Sequence, residues 1–193
     1  MAKRKEFGYS DVLQTHKTLF DTVYPWAGQD RTPSLLTIKK GSVVFANPAE
    51  IRPSVEYGLR LGQDKDTMIE RPGEVMGYLA FGHPLLDGNG RTIMTLHSVL
   101  AQRAGFSIDW SATNKVDDLN ALTSELERPG KGILDGYLAP FVSKPIDYDR
   151  LAAQVVRASG LDGRIDTDEI LGNSADPEVK AQYEAMLRKR MRR

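Results

Sequence analysis

The run from His83 to Arg91 constrains the fold of this chain more than any other feature of its sequence. It reads His-Pro-Leu-Leu-Asp-Gly-Asn-Gly-Arg and is followed by an amphipathic stretch from Thr92 to Arg103. Glycines can adopt positive φ angles and crowded turns that other residues rarely adopt. The pattern therefore predicts a tight loop that leads directly into the N-terminus of a helix.

The polar residues of this loop suit the chemistry of bound phosphate groups. Unpaired N–H groups and the helix dipole favour an anion at a helix N-terminus, and Gly88 and Gly90 could turn successive N–H groups toward one phosphate. Asp87 could hold Mg²⁺ through its oxygen atoms, and Arg91 could bind a pair of phosphate oxygens. His83 could accept a proton near neutral pH. The loop thus predicts a nucleotide-phosphate site with a histidine base.

Composition limits the classes to which the protein can belong. A chain of 193 residues is expected to form one core, with at most a small appendage. The 26 basic residues balance the 26 acidic ones, which argues against a general attraction to nucleic acid or membranes. The absence of cysteine excludes disulfides, thiolate zinc sites and a cysteine nucleophile. With no signal-type or membrane-spanning apolar run, we expect a cytoplasmic protein, or one delivered to a host cell by a route that the sequence does not reveal.

The spacing of apolar residues predicts an all-α fold with one small hairpin. β-Branched and apolar residues around a Lys-Lys-Gly-Ser turn predict that hairpin at residues 34–46. Its open edge could accept an extended peptide, although a hairpin that only covers the core is an equal alternative. The helices predicted from periodicity span residues 10–23, 48–62, 71–81, 91–104, 113–127, 132–142, 147–159 and 176–192.

Two blocks of the sequence carry a family resemblance. The run 83–91 resembles the signature of the Fic family, His-Pro-Phe-x-Asp/Glu-Gly-Asn-Gly-Arg followed three residues later by a second arginine. The block from Thr15 to Thr32, which contains Tyr-Pro-Trp-Ala-Gly, resembles the family's helix and turn upstream of the active site. Their order and separation argue against a chance match. The resemblance covers about residues 9–142, which we interpret as a Fic-like catalytic domain, and leaves 143–193 as a C-terminal helical extension.

The resemblance implies a helical bundle with the hairpin as a flap over the active site. It also implies an enzyme, a bacterial toxin or effector, that moves AMP from ATP onto a Ser, Thr or Tyr hydroxyl of a target protein. His83 would be the catalytic base, and Asp87 would hold Mg²⁺ against the phosphates. The residues implied to bind the nucleotide phosphates are Gly88, Asn89, Gly90 and Arg91. The flap residues implied to contact the target are Lys39, Lys40, Ser42 and Val43.

Departures from the family pattern leave alternatives open. Met94 stands where the second arginine would fall, and an apolar side chain cannot replace a bidentate phosphate ligand. Leu85 replaces the usual phenylalanine, which is a mild change. Gly90 replaces the lysine of the branch that transfers phosphate, so nucleotide transfer is favoured. The alternatives are a non-catalytic or weakly active Fic-fold binding module, and transfer of another nucleotide such as UMP.

Two further expectations concern regulation and the remaining histidines. The family's inhibitory motif, Ser/Thr-x-x-x-Glu-Gly/Asn, has only partial matches at residues 123–127 and 174–178. Either a separate antitoxin-like protein restrains this enzyme, or nothing does. His16 lies on the apolar face of its helix and is predicted to brace the catalytic loop, while His97 is predicted to be structural or on the surface.

Overall fold

The computed structural model describes residues 6–158 and 169–191 of the chain. The helices are α1 (Tyr9–Phe20), α2 (Pro48–Gln63), α3 (Lys65–Glu70), α4 (Pro72–Gly82), α5 (Asn89–Ala104), α6 (Lys115–Glu127), α7 (Ile133–Leu138), α8 (Tyr148–Arg157) and α9 (Pro177–Met191). The strands are β1 (Leu36–Lys40), β2 (Val43–Val44), β3 (Ser107–Ile108), β4 (Val142–Ser143) and β5 (Glu169–Asn173). The predicted all-α class with a small antiparallel sheet is confirmed. None of the helices in the described ranges is long and apolar enough to cross a membrane.

Helix α4 forms the centre of the bundle. Its sequence, Pro-Gly-Glu-Val-Met-Gly-Tyr-Leu-Ala-Phe-Gly, is almost entirely buried, as expected of a helix that is apolar on nearly every side. Helices α2, α5, α6 and α7 pack around it. At its last residue, Gly82, an added Cβ would collide with the side chain of Val55 on α2. This close packing fixes the end of α4, which is the point where the loop at residues 83–88 begins.

The flap is a three-stranded antiparallel sheet in the order β2-β1-β5. The prediction of a two-stranded hairpin with an open edge was wrong on this point, because β5 pairs with the edge of β1 that β2 leaves open. Leu36 pairs with Asn173, and Lys39 pairs with Glu169. At the opposite edge of the sheet, just after β2, the N–H of Ala46 donates to the carbonyl of Phe81 in α4. The flap is therefore held between α4 and a strand from late in the sequence.

The predicted helices are all present in the described ranges, with shifted ends. Helix α1 ends at Phe20 rather than at residue 23, because a turn of residues 21–23 precedes Pro25. Helix α7 ends at Leu138, and a 3-10 turn that contains Pro140 follows it. The sequence reasoning missed α3, β5 and the small sheet formed by β3 and β4. The domain boundary between residues 142 and 143 stays a prediction. Strand β4 contains both residues and pairs with β3.

His97 is a buried histidine of the core rather than a surface residue. It lies on α5 with no exposed surface, and its Nε2 is 2.7 Å from the carbonyl oxygen of Pro72. That distance places the proton of the neutral ring on Nε2. Its Nδ1 is buried and has no hydrogen-bond partner in the part of the chain that the structure describes. Burial lowers the pKa of His97 to about 4.

This histidine should make the stability of the protein dependent on pH. Since the His97 pKa is lower in the folded state than in the unfolded chain, its stabilising contribution is complete above about pH 6.5 and is lost as the pH falls toward 4. We expect the free energy of unfolding to fall by about 3 kcal/mol over that range because of this residue. Urea unfolding of the wild type and of His97→Gln between pH 4 and pH 8 measures it. Equal pH slopes for the two proteins would contradict the assignment.

Candidate active site

His83 is the first residue after α4 and adopts a left-handed backbone conformation, with φ of 43° and ψ of 59°. Histidine tolerates this region better than most residues, and the conformation turns the chain sharply out of the helix. The imidazole stacks on the ring of Phe45, with 3.9 Å between the centroids and 16° between the planes. Phe45 follows β2, so the flap lies directly against the candidate base. His83 is only 6% exposed.

Asp87 lies at the exposed turn of the loop, and both of its carboxylate oxygens accept hydrogen bonds. The N–H of Gly88 donates to Oδ1 at 2.6 Å, and the hydroxyl of Tyr24 donates to Oδ2 at 2.7 Å. The hydrogen bond to Asp87 raises the pKa of Tyr24 to about 12, with a smaller contribution from burial. Tyr24 stacks on Trp26, with 4.4 Å between the ring centroids. The Tyr-Pro-Trp-Ala-Gly turn therefore holds the candidate metal ligand, a role that the sequence reasoning did not assign to Tyr24.

Gly88 is the N-cap of α5 and has a φ of 74°. A Cβ added to it would lie 2.7 Å from Cε2 of Phe20 and 3.0 Å from Nε2 of His16. Only glycine therefore satisfies both the backbone angle and the close packing at this position. No side chain in the described part of the chain caps the helix, so the backbone N–H groups of its first turn, residues 89–91, are left for an anion.

The side chain of Asn89 holds the loop through contacts that the sequence did not predict, and its binding to phosphate stays a prediction. Its Nδ2 donates to the carbonyl of Leu85 at 2.8 Å, and its Oδ1 accepts from the N–H of Leu85 at 3.0 Å. These two hydrogen bonds tie the side chain to the backbone of Leu85 and fix the curvature of the loop. The backbone N–H of Asn89 and the second hydrogen of Nδ2 are not used in these bonds. Leu85 itself is completely buried, as expected of an apolar residue in the phenylalanine position.

His16 lies directly beneath the loop, where the sequence placed it. Its Nδ1 accepts a hydrogen bond of 2.8 Å from the N–H of Gly28, so the proton of the neutral ring lies on Nε2. That nitrogen faces the loop beside Gly88. Burial lowers the pKa of His16, and the backbone of Asp87 opposes this shift only in part. A neutral imidazole thus joins the Trp-Ala-Gly turn to the underside of the loop.

The two cation positions of the signature differ sharply. The guanidinium of Arg91 is half-exposed and forms no hydrogen bond or ion pair within residues 6–158 and 169–191, so it is available to a ligand. Met94 is 4% exposed and belongs to the hydrophobic core. Helix α5 therefore offers one arginine to a nucleotide and an apolar side chain at the second position.

The predicted target-binding residues of the flap already have partners within the chain. The Nζ of Lys39 lies 2.7 Å from the carboxylate of Glu169 on β5. The hydroxyl of Ser42 donates to Oε1 of Glu127 at 2.9 Å. Val43 is buried, so its side chain is not presented to another protein, and Lys40 is half-exposed. Contact of these residues with a target stays a prediction.

The fold and the loop together define the class of protein. It is a helical protein in which a histidine, a carboxylate, an arginine and the N-terminus of a helix meet at one loop suited to nucleotide phosphates. Residues 6–101 match the model of the Fic/DOC family. The chain belongs to the Fic/DOC family.

Relatives of known identity agree with this assignment. The chain is 35% identical over 119 residues to protein adenylyltransferase VbhT of Bartonella schoenbuchensis, a match that covers 57% of this chain and 24% of that protein. It thus spans about a quarter of the length of this curated relative.

Solved structures share the fold. The BepC protein of Bartonella tribocorum, with bound AMPPNP, matches with a TM-score of 0.62 and 19% identity over 74% of this chain and 78% of that one. The N-terminal Fic domain of a VirB-translocated Bep effector protein from Bartonella quintana, with bound ADP, gives 0.63 and 22% over 78% of each chain.

Proposed function

We propose that this chain is a protein adenylyltransferase, which moves AMP from ATP onto a Ser, Thr or Tyr hydroxyl of a target protein, and that it acts as a bacterial toxin or effector. The observation that carries the proposal is the arrangement of the loop. It joins a fixed histidine to a helix N-terminus whose N–H groups and arginine side chain have no partner among the described residues. The similarity to an adenylyltransferase supports the choice of reaction. The Bep effector relatives support the suggested role.

In this reaction, His83 takes the proton from the target hydroxyl. The hydroxyl oxygen then attacks the α-phosphorus of ATP, a P–O bond forms to the target, and the bond to the β-phosphate breaks. Pyrophosphate leaves, and the proton remains on the imidazole until solvent accepts it. Stacking on Phe45 and the constrained backbone of His83 hold the ring in place for this step.

The helix N-terminus and Arg91 bind and orient the phosphates. The N–H groups of residues 89–91 are fixed donors, which stabilise the charge that develops on phosphate oxygens without needing to reorganise. The guanidinium of Arg91 binds oxygens of the departing pyrophosphate in a bidentate manner. Since Met94 supplies no second cation, Arg91 carries this task alone on α5.

Asp87 is the residue that would hold Mg²⁺. Its carboxylate is exposed, and one hydrogen bond to each oxygen leaves lone pairs for a cation. The described residues contain no group of three or more acidic or histidine side chains placed to hold a metal. A magnesium ion that takes its other ligands from substrate phosphates and water needs only one or two carboxylates. When bound, the ion would neutralise phosphate charge.

Asp87→Asn tests this role, because it removes the charge but keeps the size of the side chain and an acceptor for the N–H of Gly88. We expect the rate of AMP transfer to fall by about a hundredfold or more, since a cation contributes several kcal/mol of charge stabilisation. The measurement is the initial rate as a function of Mg²⁺ concentration. Asp66→Asn, at an exposed carboxylate on α3, is the control for net charge. An unchanged Mg²⁺ dependence in Asp87→Asn would show that the ligand is elsewhere.

The buried Met94 favours one alternative, a weakly active or non-catalytic module that binds a protein or nucleotide through the Fic fold. Without the second arginine, the terminal phosphate of ATP has less to hold it. The residues of the signature contact phosphate and not the nucleobase, so the choice of nucleotide is open and transfer of UMP is the other alternative. The presence of His83 and Asp87 in the loop, and of Arg91 in the first turn of α5, favours the enzyme over the module.

The deciding experiment incubates the purified protein with Mg²⁺, a bacterial or host lysate and ATP labelled at either the α- or the γ-phosphate. His83→Ala is the control. Label that enters protein only from the α-position, and not with the variant, would establish adenylylation. Label only from the γ-position would indicate phosphate transfer instead. If ATP, UTP and other nucleotides all leave protein unlabelled, the binding module becomes the better description.

A further inference from the structure

Arg31 is a buried arginine whose guanidinium reaches three separate segments of the site. Nε donates to the carbonyl oxygen of His83 at 2.6 Å, Nη1 to that of Leu36 at 2.6 Å, and Nη2 to that of Ala46 at 2.8 Å. The backbone N–H of Arg31 also donates to the carbonyl of Pro84 at 2.9 Å. The residue is only 1% exposed.

The three acceptors define what Arg31 joins together. Leu36 is the first residue of β1, and Ala46 lies two residues after β2, so the guanidinium binds both ends of the hairpin. The third acceptor belongs to the candidate base itself. Only a planar fork of donors can reach three carbonyls in different directions at once, which a lysine ammonium on a flexible stem cannot reproduce.

His83 depends on such support because its left-handed backbone is a conformation that the surroundings must hold in place. Arg31 bonds to its carbonyl, and Phe45, the neighbour of Ala46, stacks on its ring. The backbone of His83, through Arg31, and its ring, through Phe45, are therefore both attached to the residues that follow β2. A displacement of the flap would move the base with it.

We propose that Arg31 is a positioning residue that couples the flap to His83, so that the base is correctly oriented only when the flap is in place. This inference rests on the proposed function, in which His83 accepts the proton. The coupling itself is a property of the fold. Loss of Arg31 leaves the phosphate-binding N–H groups and Arg91 intact, so it should impair proton transfer more than ATP binding.

The test compares wild type with Arg31→Lys and Arg31→Gln, and with the control Arg52→Gln, which removes an exposed arginine that pairs with Glu56. Histidine-ring NMR spectra and amide hydrogen exchange are recorded first. The His83 ring signal should shift, and the amide of Ala46, which bonds to Phe81, should exchange at least about tenfold faster. The signal of buried His97 should not move, which shows that the core is intact.

Kinetics supply the second readout. In both Arg31 variants kcat should fall by about a hundredfold, as expected when a reacting group is misplaced, while KM for ATP should change by less than about threefold. Arg52→Gln should match the wild type. A fall in kcat/KM that arises from KM alone would overturn the proposal, because it would place Arg31 in nucleotide binding.

The outcomes separate this inference from the proposed function. If the wild type transfers no nucleotide, the proposed function fails, and the NMR and exchange data still decide the coupling. An unchanged His83 signal and unchanged Ala46 exchange in a folded Arg31 variant would overturn the coupling whatever the activity. If both variants unfold, hydrogen exchange in the wild type decides whether Arg31 and the flap are coupled. The Arg31 Nε–H and the Ala46 amide should then open with the same equilibrium constant, and a difference above about tenfold would refute it.

Discussion

Replacing His83 with alanine should lower the rate of AMP transfer by a factor of about 10² to 10⁴, the contribution typical of a general base. The variant removes the group that accepts the hydroxyl proton but leaves the helix N–H groups and Arg91 able to bind phosphate. We therefore expect kcat to fall with little change in KM for ATP. The measurement is the initial rate of transfer from ATP labelled at the α-phosphate.

Stability must be measured beside the rate, because the imidazole also packs on Phe45. A thermal unfolding curve for His83→Ala shows whether the protein remains folded under assay conditions. His83→Gln restores a planar polar group without a base and should be as inactive as the alanine variant. Full activity in the glutamine variant would mean that His83 only fills space and that another group takes the proton.

Replacing Gly88 with alanine should both destabilise the protein and inactivate it. The left-handed backbone strains a residue that carries a Cβ, and the new methyl group would collide with Phe20 and His16 beneath the loop. Strain and overpacking each cost about 1 to 3 kcal/mol, so we expect a loss of about 2 to 6 kcal/mol in the free energy of unfolding. Displacement of the helix N–H groups should lower the rate about a hundredfold even where the protein stays folded.

Gly105 is the matched control for this substitution. It caps the other end of α5 with a φ of 103°, but a Cβ added there would meet nothing within 4 Å. Gly105→Ala therefore introduces the backbone strain without the collision, and the protein should remain active. Since φ at Gly105 is less favourable for alanine than φ at Gly88, a larger loss at Gly88 in urea titrations reports the packing of Phe20 and His16 against the loop. Equal losses would show that this packing is loose.

The loop could be predicted from the sequence because its determinants are local. The two glycines, the polar residues around them and the apolar period that follows specify a turn into a helix within a few positions. Asn89 shows the limit of that reasoning. Its place beside the loop follows from the sequence, but the hydrogen bonds of its side chain to the backbone of Leu85, four positions earlier, do not.

Contacts between distant parts of the chain could not be predicted in this way. The partner of Tyr24 is Asp87, and Arg31 bonds to residues before and after β2 and to His83. Nothing in the local pattern of either residue specifies those partners. Strand β5, with the sequence Glu-Ile-Leu-Gly-Asn, has no strand adjacent in sequence among the residues that the structure describes. Its pairing with β1 depends on the tertiary structure.

The pairing of β1 with β5 also affects the order in which parts of the structure form during synthesis of the chain. A chain grows from its N-terminus, and contacts between residues far apart in sequence form late. The loop, α4 and α5 leave the ribosome well before Asn173, the partner of Leu36, has been added. A nascent chain therefore possesses its catalytic loop while the outer side of β1 still lacks a neighbour. During that interval, an extended segment of another molecule can pair with the strand that β5 later covers.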